Sequence, residues 1–152
     1  MVNVGELAPT FTLQSDQGAE ISLEDYRGQK VILYFYPKAD TPGCTKQACA
    51  VRDAYPKIEA QDAVVLGISP DKPAALVKFR EKYDLPFPLL SDPDHEVAKA
   101  YDVWAGKEIL GKDVGHVVRS HFAIGPEGKL LEAKRNIKPE TTADLALNFS
   151  LE

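Results

Sequence analysis

The sequence predicts an α/β fold, and three features predict it. Residues 31–36 and 63–69 are almost wholly apolar and β-prone, without the polar alternation of a half-exposed strand, as strands covered on both faces require. Each is followed by a helical pattern opened by proline, at Thr41-Pro42 and at Pro73. Towards the end, two β-prone runs flank Gly125-Pro126-Glu127-Gly128 as a hairpin would. Strands alternating with helices, then a hairpin, imply a mixed sheet with helices on both faces.

In chain order, residues 11–13 and 20–22 read as two short strands around the turn-forming Ser15-Asp16-Gln17-Gly18. Leu23-Glu24-Asp25-Tyr26 reads as one helical turn closed by Gly28. Residues 31–36 form a central strand, stopped by Pro37. Thr41 at the N-cap and Pro42 at the first helical position start a helix. Val51, Ala54, Tyr55 and Ile58 continue it, and Pro56 predicts a kink or early break. After the buried strand over residues 63–69, Pro73 opens a helix with Leu76, Phe79 and Tyr83 on one face. The prolines of Leu85-Pro86-Phe87-Pro88 hold that segment extended, and Leu89-Leu90 makes a short strand. Residues 95–101 read as a short helix, and residues 117–124 and 129–133 as the hairpin strands. Beyond Pro139, Leu145 and Phe149 have helical spacing, while Leu145, Leu147, Phe149 and Leu151 also alternate as in a strand; a helix is expected. A thioredoxin-like sandwich accommodates this order: a central mixed sheet flanked by helices, with an N-terminal strand extension.

The 152 residues, 44% of them hydrophobic, suit a single domain over residues 1–152. A net charge of −5, from 18 basic and 23 acidic residues, gives no general attraction to nucleic acid or anionic membranes. No basic cluster followed by an apolar run opens the chain, and no apolar stretch approaches the length of a bilayer span. A cytoplasmic protein without nucleic-acid or membrane partners is expected. The only cysteines are Cys44 and Cys49. In a reducing compartment a permanent disulfide is not expected, which leaves redox cycling, metal binding or coincidence.

The decisive segment runs from Tyr36 to Cys49, out of the most apolar strand and into a helix. The crevice beyond the carboxyl ends of strands is the usual active-site position in open α/β sheets. Cys44 falls in the first helical turn, where unpaired N–H groups and the helix dipole favour thiolate over thiol. Gly43 is expected to leave room for a small substrate beside the sulfur. Cys49 lies five residues on, a rise of ~7.5 Å and a rotation of about 140° in an α-helix, so the two Cα atoms stand roughly 8.7 Å apart. A disulfide seldom tolerates more than ~7 Å. Either the two cysteines never pair, or this helix unwinds when they do.

Pro37, Thr41 and Cys44 fit the P-x-x-x-T-x-x-C signature of peroxiredoxins, and D-T-P-G-C-T-x-x-A-C resembles the bacterioferritin comigratory protein, or peroxiredoxin Q, subfamily. The segments GELAPTFTL (residues 5–13), FPLLSD (87–92), 101–104 and Arg119-Ser120-x-Phe122 resemble the family in the expected order. The resemblance implies a thioredoxin fold and reduction of hydrogen peroxide or alkyl hydroperoxides without metal or organic cofactor. It implies that Cys44 is peroxidatic, that Thr41 orients the peroxide, that Pro37 shields the sulfur and that Arg119 lies beside the thiolate. Cys49 becomes the resolving cysteine within the same subunit, with thioredoxin or a similar dithiol as electron donor. A reaction contained in one chain requires no dimer, so a monomer is expected. Three positions depart from the family pattern: His121 where Thr is common, Gly125 for a frequent Asp, and Gln47 where Glu is frequent. Gln47 removes a negative charge that would oppose ionisation of Cys44.

Without the resemblance, Arg119 is not distinguished from Arg27 or Arg135, because arginines at strand starts commonly form surface ion pairs. Thr41 has an ordinary duty as an N-cap, Pro37 as a strand terminator and Cys49 as a small buried hydrophobe. Two other functions compete. A thiol–disulfide oxidoreductase normally uses C-x-x-C, whereas four residues intervene here. A copper-binding module would use the two cysteines and a histidine, yet no histidine stands at local ligand spacing.

Overall fold

The structure, a computed structural model of the chain, describes residues 2–147. Phe149, whose spacing from Leu145 suggests the final helix, and Leu151, which extends the alternative strand pattern, lie outside the described residues. In chain order the strands are β1 (Thr12–Ser15), β2 (Glu20–Ser22), β3 (Lys30–Phe35), β4 (Ala63–Ser69), β5 (Leu89–Ser91), β6 (Trp104–Ile109), β7 (Lys112–Val117), β8 (Ser120–Ile124) and β9 (Leu130–Arg135). The helices are α1 (Pro42–Glu59), α2 (Pro73–Tyr83), α3 (Glu96–Ala100) and α4 (Thr141–Leu147), with a 3₁₀ turn at Leu23–Tyr26.

The run of greatest apolarity becomes β3, in the interior of a seven-stranded sheet ordered β2-β1-β5-β4-β3-β8-β9. β3 pairs parallel with β4 and antiparallel with β8, and β4 pairs parallel with β5. Its side chains alternate between two cores. Val31, Leu33 and Phe35 enter one core with Leu66, Tyr101 and Phe122, against α3 and the N-terminal segment. Ile32, Tyr34 and Tyr36 enter the other, with Cys44, Val51, Ile58, Phe79 and Ala143 from α1, α2 and α4. Burial on both faces explains the unbroken apolar run, and each such side chain contributes roughly 1.5–3 kcal/mol. The sheet is mixed and helix-flanked, as the sequence predicts, and the fold is thioredoxin-like.

Three differences have physical reasons. α1 does not break at Pro56 but continues to Glu59. Pro56 forfeits one intrahelical bond near the end of the helix, while the buried Val51, Ala54 and Ile58 hold that stretch on the sheet. The expected strand over residues 117–124 is divided: Val117 ends β7, and β8 begins at Ser120 after Val118 and Arg119. β6 and β7 form a separate antiparallel hairpin that was not expected. Its turn places Leu110 (φ 51°) and Gly111 (φ 78°) in the left-handed region, a geometry normally announced by Asn-Gly or Asp-Gly. Leucine in the first of these positions hides the signal.

Candidate active site

The site forms where β3 hands over to α1. Thr41 has extended N-cap geometry and Pro42 takes the first helical position, as expected. The first intrahelical bond runs from the Thr45 N–H to the Thr41 carbonyl at 2.8 Å, so the Gly43 and Cys44 N–H groups lie at the unpaired, positive end of an 18-residue helix. The Thr41 side chain does not cap the helix; its hydroxyl donates to the Lys38 carbonyl at 2.8 Å. Pro37 is half-buried at the start of this loop.

Cys44 is 1% exposed. Arg119, in the break between β7 and β8, donates from Nη2 to Cys44 Sγ at 3.4 Å and from Nη1 to Gln47 Oε1 at 2.6 Å. The strand division therefore puts the guanidinium over the first turn of α1. Gly43 serves this approach rather than that of a substrate: a Cβ there would lie 2.8 Å from Arg119 Nη2 and 3.7 Å from Pro139 Cγ. Tyr34, beneath the site, is fully buried. Burial above all, with Tyr36 and Cys44 adding, holds its phenol well above the usual value, so it stays neutral.

Cys49 lies half-buried on the same helix, and both cysteines are free. The flanks of the cysteine segment are held at a common point. Asp40, in left-handed conformation at φ 60°, accepts from Lys82 Nζ at 3.0 Å and from the Tyr83 hydroxyl at 2.8 Å. Arg52 Nη1 donates to the Tyr83 carbonyl at 2.8 Å. Of the remaining expectations, Lys46 faces Glu140 at 3.8 Å and Lys38 is exposed. His121 is buried, with Nε2 2.9 Å from Glu132 Oε1. Among the described residues no three His, Cys, Asp or Glu side chains gather to hold a metal ion, which leaves the copper-binding reading without a ligand set there. Nor, among them, is any helix long and apolar enough to cross a membrane.

Sequence reasoning brings Cys44, Thr41, Pro37 and Arg119 into one place but misses two participants. Gln47 was noted only for its lost charge, yet it binds Arg119. Thr142, on α4, accepts from Gln47 Nε2 at 3.0 Å. No local signal marks it, because a threonine in the first turn of a short helix has ample ordinary reasons to be there.

The chain is similar to known proteins along most of its length. Residues 4–133 match the AhpC/TSA family. The chain is 42% identical over 151 residues to peroxiredoxin Bcp of Escherichia coli K12, covering 99% of this chain and 97% of that protein. It is 44% identical over 137 residues to peroxiredoxin Bcp of Bacillus subtilis, covering 90% and 87%. The crystal structure of BcpB from Mycobacterium tuberculosis superposes with a TM-score of 0.88 at 33% identity, over 97% of this chain and 96% of that one. The bacterioferritin comigratory protein of Xanthomonas campestris, studied for alkyl peroxide reduction, superposes with a TM-score of 0.87 at 32% identity over 96% of both chains.

Proposed function

The chain belongs to the AhpC/TSA family as a thiol peroxidase of the Bcp or peroxiredoxin Q kind, and on that premise we propose that Cys44 reduces the peroxide and Cys49 resolves the oxidised sulfur. One observation carries the reading: a buried cysteine in the first turn of a long helix, with a guanidinium nitrogen 3.4 Å from its sulfur. The positive end of the helix and the guanidinium both face the sulfur, whose thiolate is the nucleophilic form.

The thiolate attacks one peroxide oxygen, forming an S–O bond as the O–O bond breaks. The departing oxygen leaves as hydroxide or alkoxide and takes up a proton. Arg119 stabilises the charge that develops there. Thr41 has committed its proton to Lys38, which leaves the lone pairs of its oxygen to accept from the peroxide O–H. Pro37 shields the sulfur from bulk water. No metal or organic cofactor enters these steps. The alkyl peroxide reduction studied in the Xanthomonas relative supports alkyl hydroperoxides as substrates alongside hydrogen peroxide.

Cys44 sulfenic acid then condenses with the Cys49 thiol, releasing water and forming a disulfide within the subunit. On the intact helix the two Cα atoms stand roughly 8.7 Å apart, beyond disulfide reach, so the first turns of α1 unwind before the bond closes. Thioredoxin or a similar dithiol restores both cysteines by exchange. One chain holds both thiols, which supports a monomer acting as a single domain, and a cytoplasmic location fits two cysteines that are free rather than held in a structural disulfide.

The test is one equivalent of hydrogen peroxide added to reduced wild type, Cys44→Ser and Cys49→Ser, followed by intact mass. Wild type is expected to lose two hydrogens, Cys49→Ser to gain one oxygen and Cys44→Ser to stay unchanged. If all three are unchanged at low peroxide, Cys44 is not peroxidatic.

A further inference from the structure

The hydrogen bonds around Cys44 continue past Arg119 into the C-terminal helix. Arg119 Nη1 donates to Gln47 Oε1 at 2.6 Å, and Gln47 Nε2 donates to Thr142 Oγ1 at 3.0 Å. Gln47 and Thr142 are both fully buried. The direction of the chain is dictated by chemistry. A guanidinium carries donors only, so the oxygen end of the Gln47 amide must face Arg119. Its NH₂ end is thereby turned towards α4, inside the protein, and requires an acceptor there. Thr142 Oγ1 is that acceptor.

The same stretch of chain meets the site at other points. The Ile137 N–H donates to the Arg119 carbonyl at 3.0 Å, so the backbone on either side of the β8–β9 hairpin is pinned together beside the guanidinium. Pro139 stands against Gly43. Arg119 itself is only half-buried: a long side chain with solvent as an alternative environment stays over the sulfur only while its bonds inside the protein hold it there.

We propose that Thr142 is a positioning residue for the peroxide site, its hydroxyl acting through the Gln47 amide to hold the Arg119 guanidinium against the Cys44 sulfur. The proposal rests on the roles assigned above to Cys44 and Arg119. Removing the hydroxyl leaves the Gln47 NH₂ group buried without its acceptor, which favours rotation of the amide away from its present pose. Arg119 then loses the acceptor that orients it. The thiolate loses part of its electrostatic support, and the departing oxygen part of its stabilisation.

The experiment uses the full chain carrying Cys49→Ser, so that Cys44 is the single thiol. Two quantities are read for the parent, Thr142→Val and Thr142→Ser: the pH midpoint of Cys44 alkylation by iodoacetamide, and the rate of hydrogen peroxide consumption with an added small thiol as reductant. Thr142→Val is expected to raise the midpoint by about half a unit or more and to slow peroxide consumption roughly three- to tenfold. Thr142→Ser, which keeps the hydroxyl, is expected to match the parent in both. The proposal is overturned if Thr142→Val keeps the parent's midpoint and rate, or if Thr142→Ser is as impaired as Thr142→Val, because the hydroxyl is then not the acting group. Should Thr142→Val not fold, Thr142→Ala carries the same comparison without placing a methyl against the amide. Failure of the peroxidase reading looks different: the parent itself would not consume peroxide, whatever its alkylation midpoint.

Discussion

At the scale of the residue, the site turns on which groups are allowed near one sulfur. Gly43 is the sharpest case. Its missing side chain looks from the sequence like an opening for substrate, but the space is taken by Arg119, whose Nη2 would lie 2.8 Å from a Cβ at that position. Gly43→Ala is therefore expected to push the guanidinium off Cys44 and Gln47 and to slow peroxide reduction by about tenfold, an effect of the size seen for one electrostatic donor weakened rather than removed. Alanine favours a helix over glycine by roughly 1 kcal/mol, so the melting temperature should not fall. Peroxide consumption and thermal melting of the same variant check this; an unchanged rate would mean that Arg119 accommodates the methyl without cost. Thr41 makes a related point. Its position at the helix start was legible, but the destination of its proton, the Lys38 carbonyl, depends on how the loop closes.

At the scale of the element, α1 has two requirements in tension. It must be helical through Cys44 to present the thiolate at its N-terminus, and it must unwind for the proposed disulfide with Cys49. The anchors at Tyr83 bound the segment that can give way. Asp40 before it bonds the Tyr83 hydroxyl and Arg52 after it bonds the Tyr83 carbonyl. The Asp40 carboxyl is held below its ordinary 3.8 by hydrogen bonds from Lys82 and then Tyr83. A carboxyl depressed in the folded chain contributes its tether fully above that ordinary value and loses it as the pH falls through the folded value, so the anchor is intact at neutral pH. In the oxidised protein at pH 7, amides over residues 44–51 are expected to exchange rapidly while those over residues 53–58 stay protected. Hydrogen exchange resolved by residue checks this, and full protection of residues 44–51 alongside a Cys44–Cys49 bond would exclude the unwinding step.

At the scale of the whole molecule, stability rests on joining the short antiparallel strands to the central sheet. Asp16 does this from a fully buried position. Its carboxylate pairs with Arg80 of α2 and accepts from the Leu89 N–H of β5 at 3.1 Å. Arg80 also donates to the carbonyls of Leu85 at 2.9 Å and Phe87 at 2.7 Å, which fastens the proline-rich stretch leading into β5. Removing one partner of a buried pair leaves the other charge uncompensated, at a cost of about 3–5 kcal/mol. Asp16→Ala is expected to lose at least ~3 kcal/mol in urea unfolding by that argument, with the peroxide site intact in the folded fraction. A loss under ~1 kcal/mol would place this pair among the inconsequential ones.

Much of this protein is written locally and can be read locally. Apolar runs without alternation give buried strands, Thr41-Pro42 and Pro73 give helix starts, and a cysteine three places past an N-cap gives a thiol at the positive end of a helix. Those inferences succeed because hydrogen bonding and burial along a single segment decide them. The resemblance, resting on spaced residues in order, also brought Arg119 to the site before any geometry was known. The β6–β7 hairpin escaped because Leu110 occupies a turn position where asparagine or aspartate would have announced it. Pro56 does not end the helix, because one lost bond is outweighed by the apolar burial of Val51, Ala54 and Ile58 on either side of it. The occupant of the space at Gly43, the proton of Thr41 and the bonds from Thr142 through Gln47 to Arg119 were decided only by the tertiary structure. The proton of Thr41 goes only three residues back, to Lys38, and is set by how that loop is closed; the other contacts join residues 72 to 95 positions apart and follow from the packing of α1 and α4 on the sheet, which no single segment encodes.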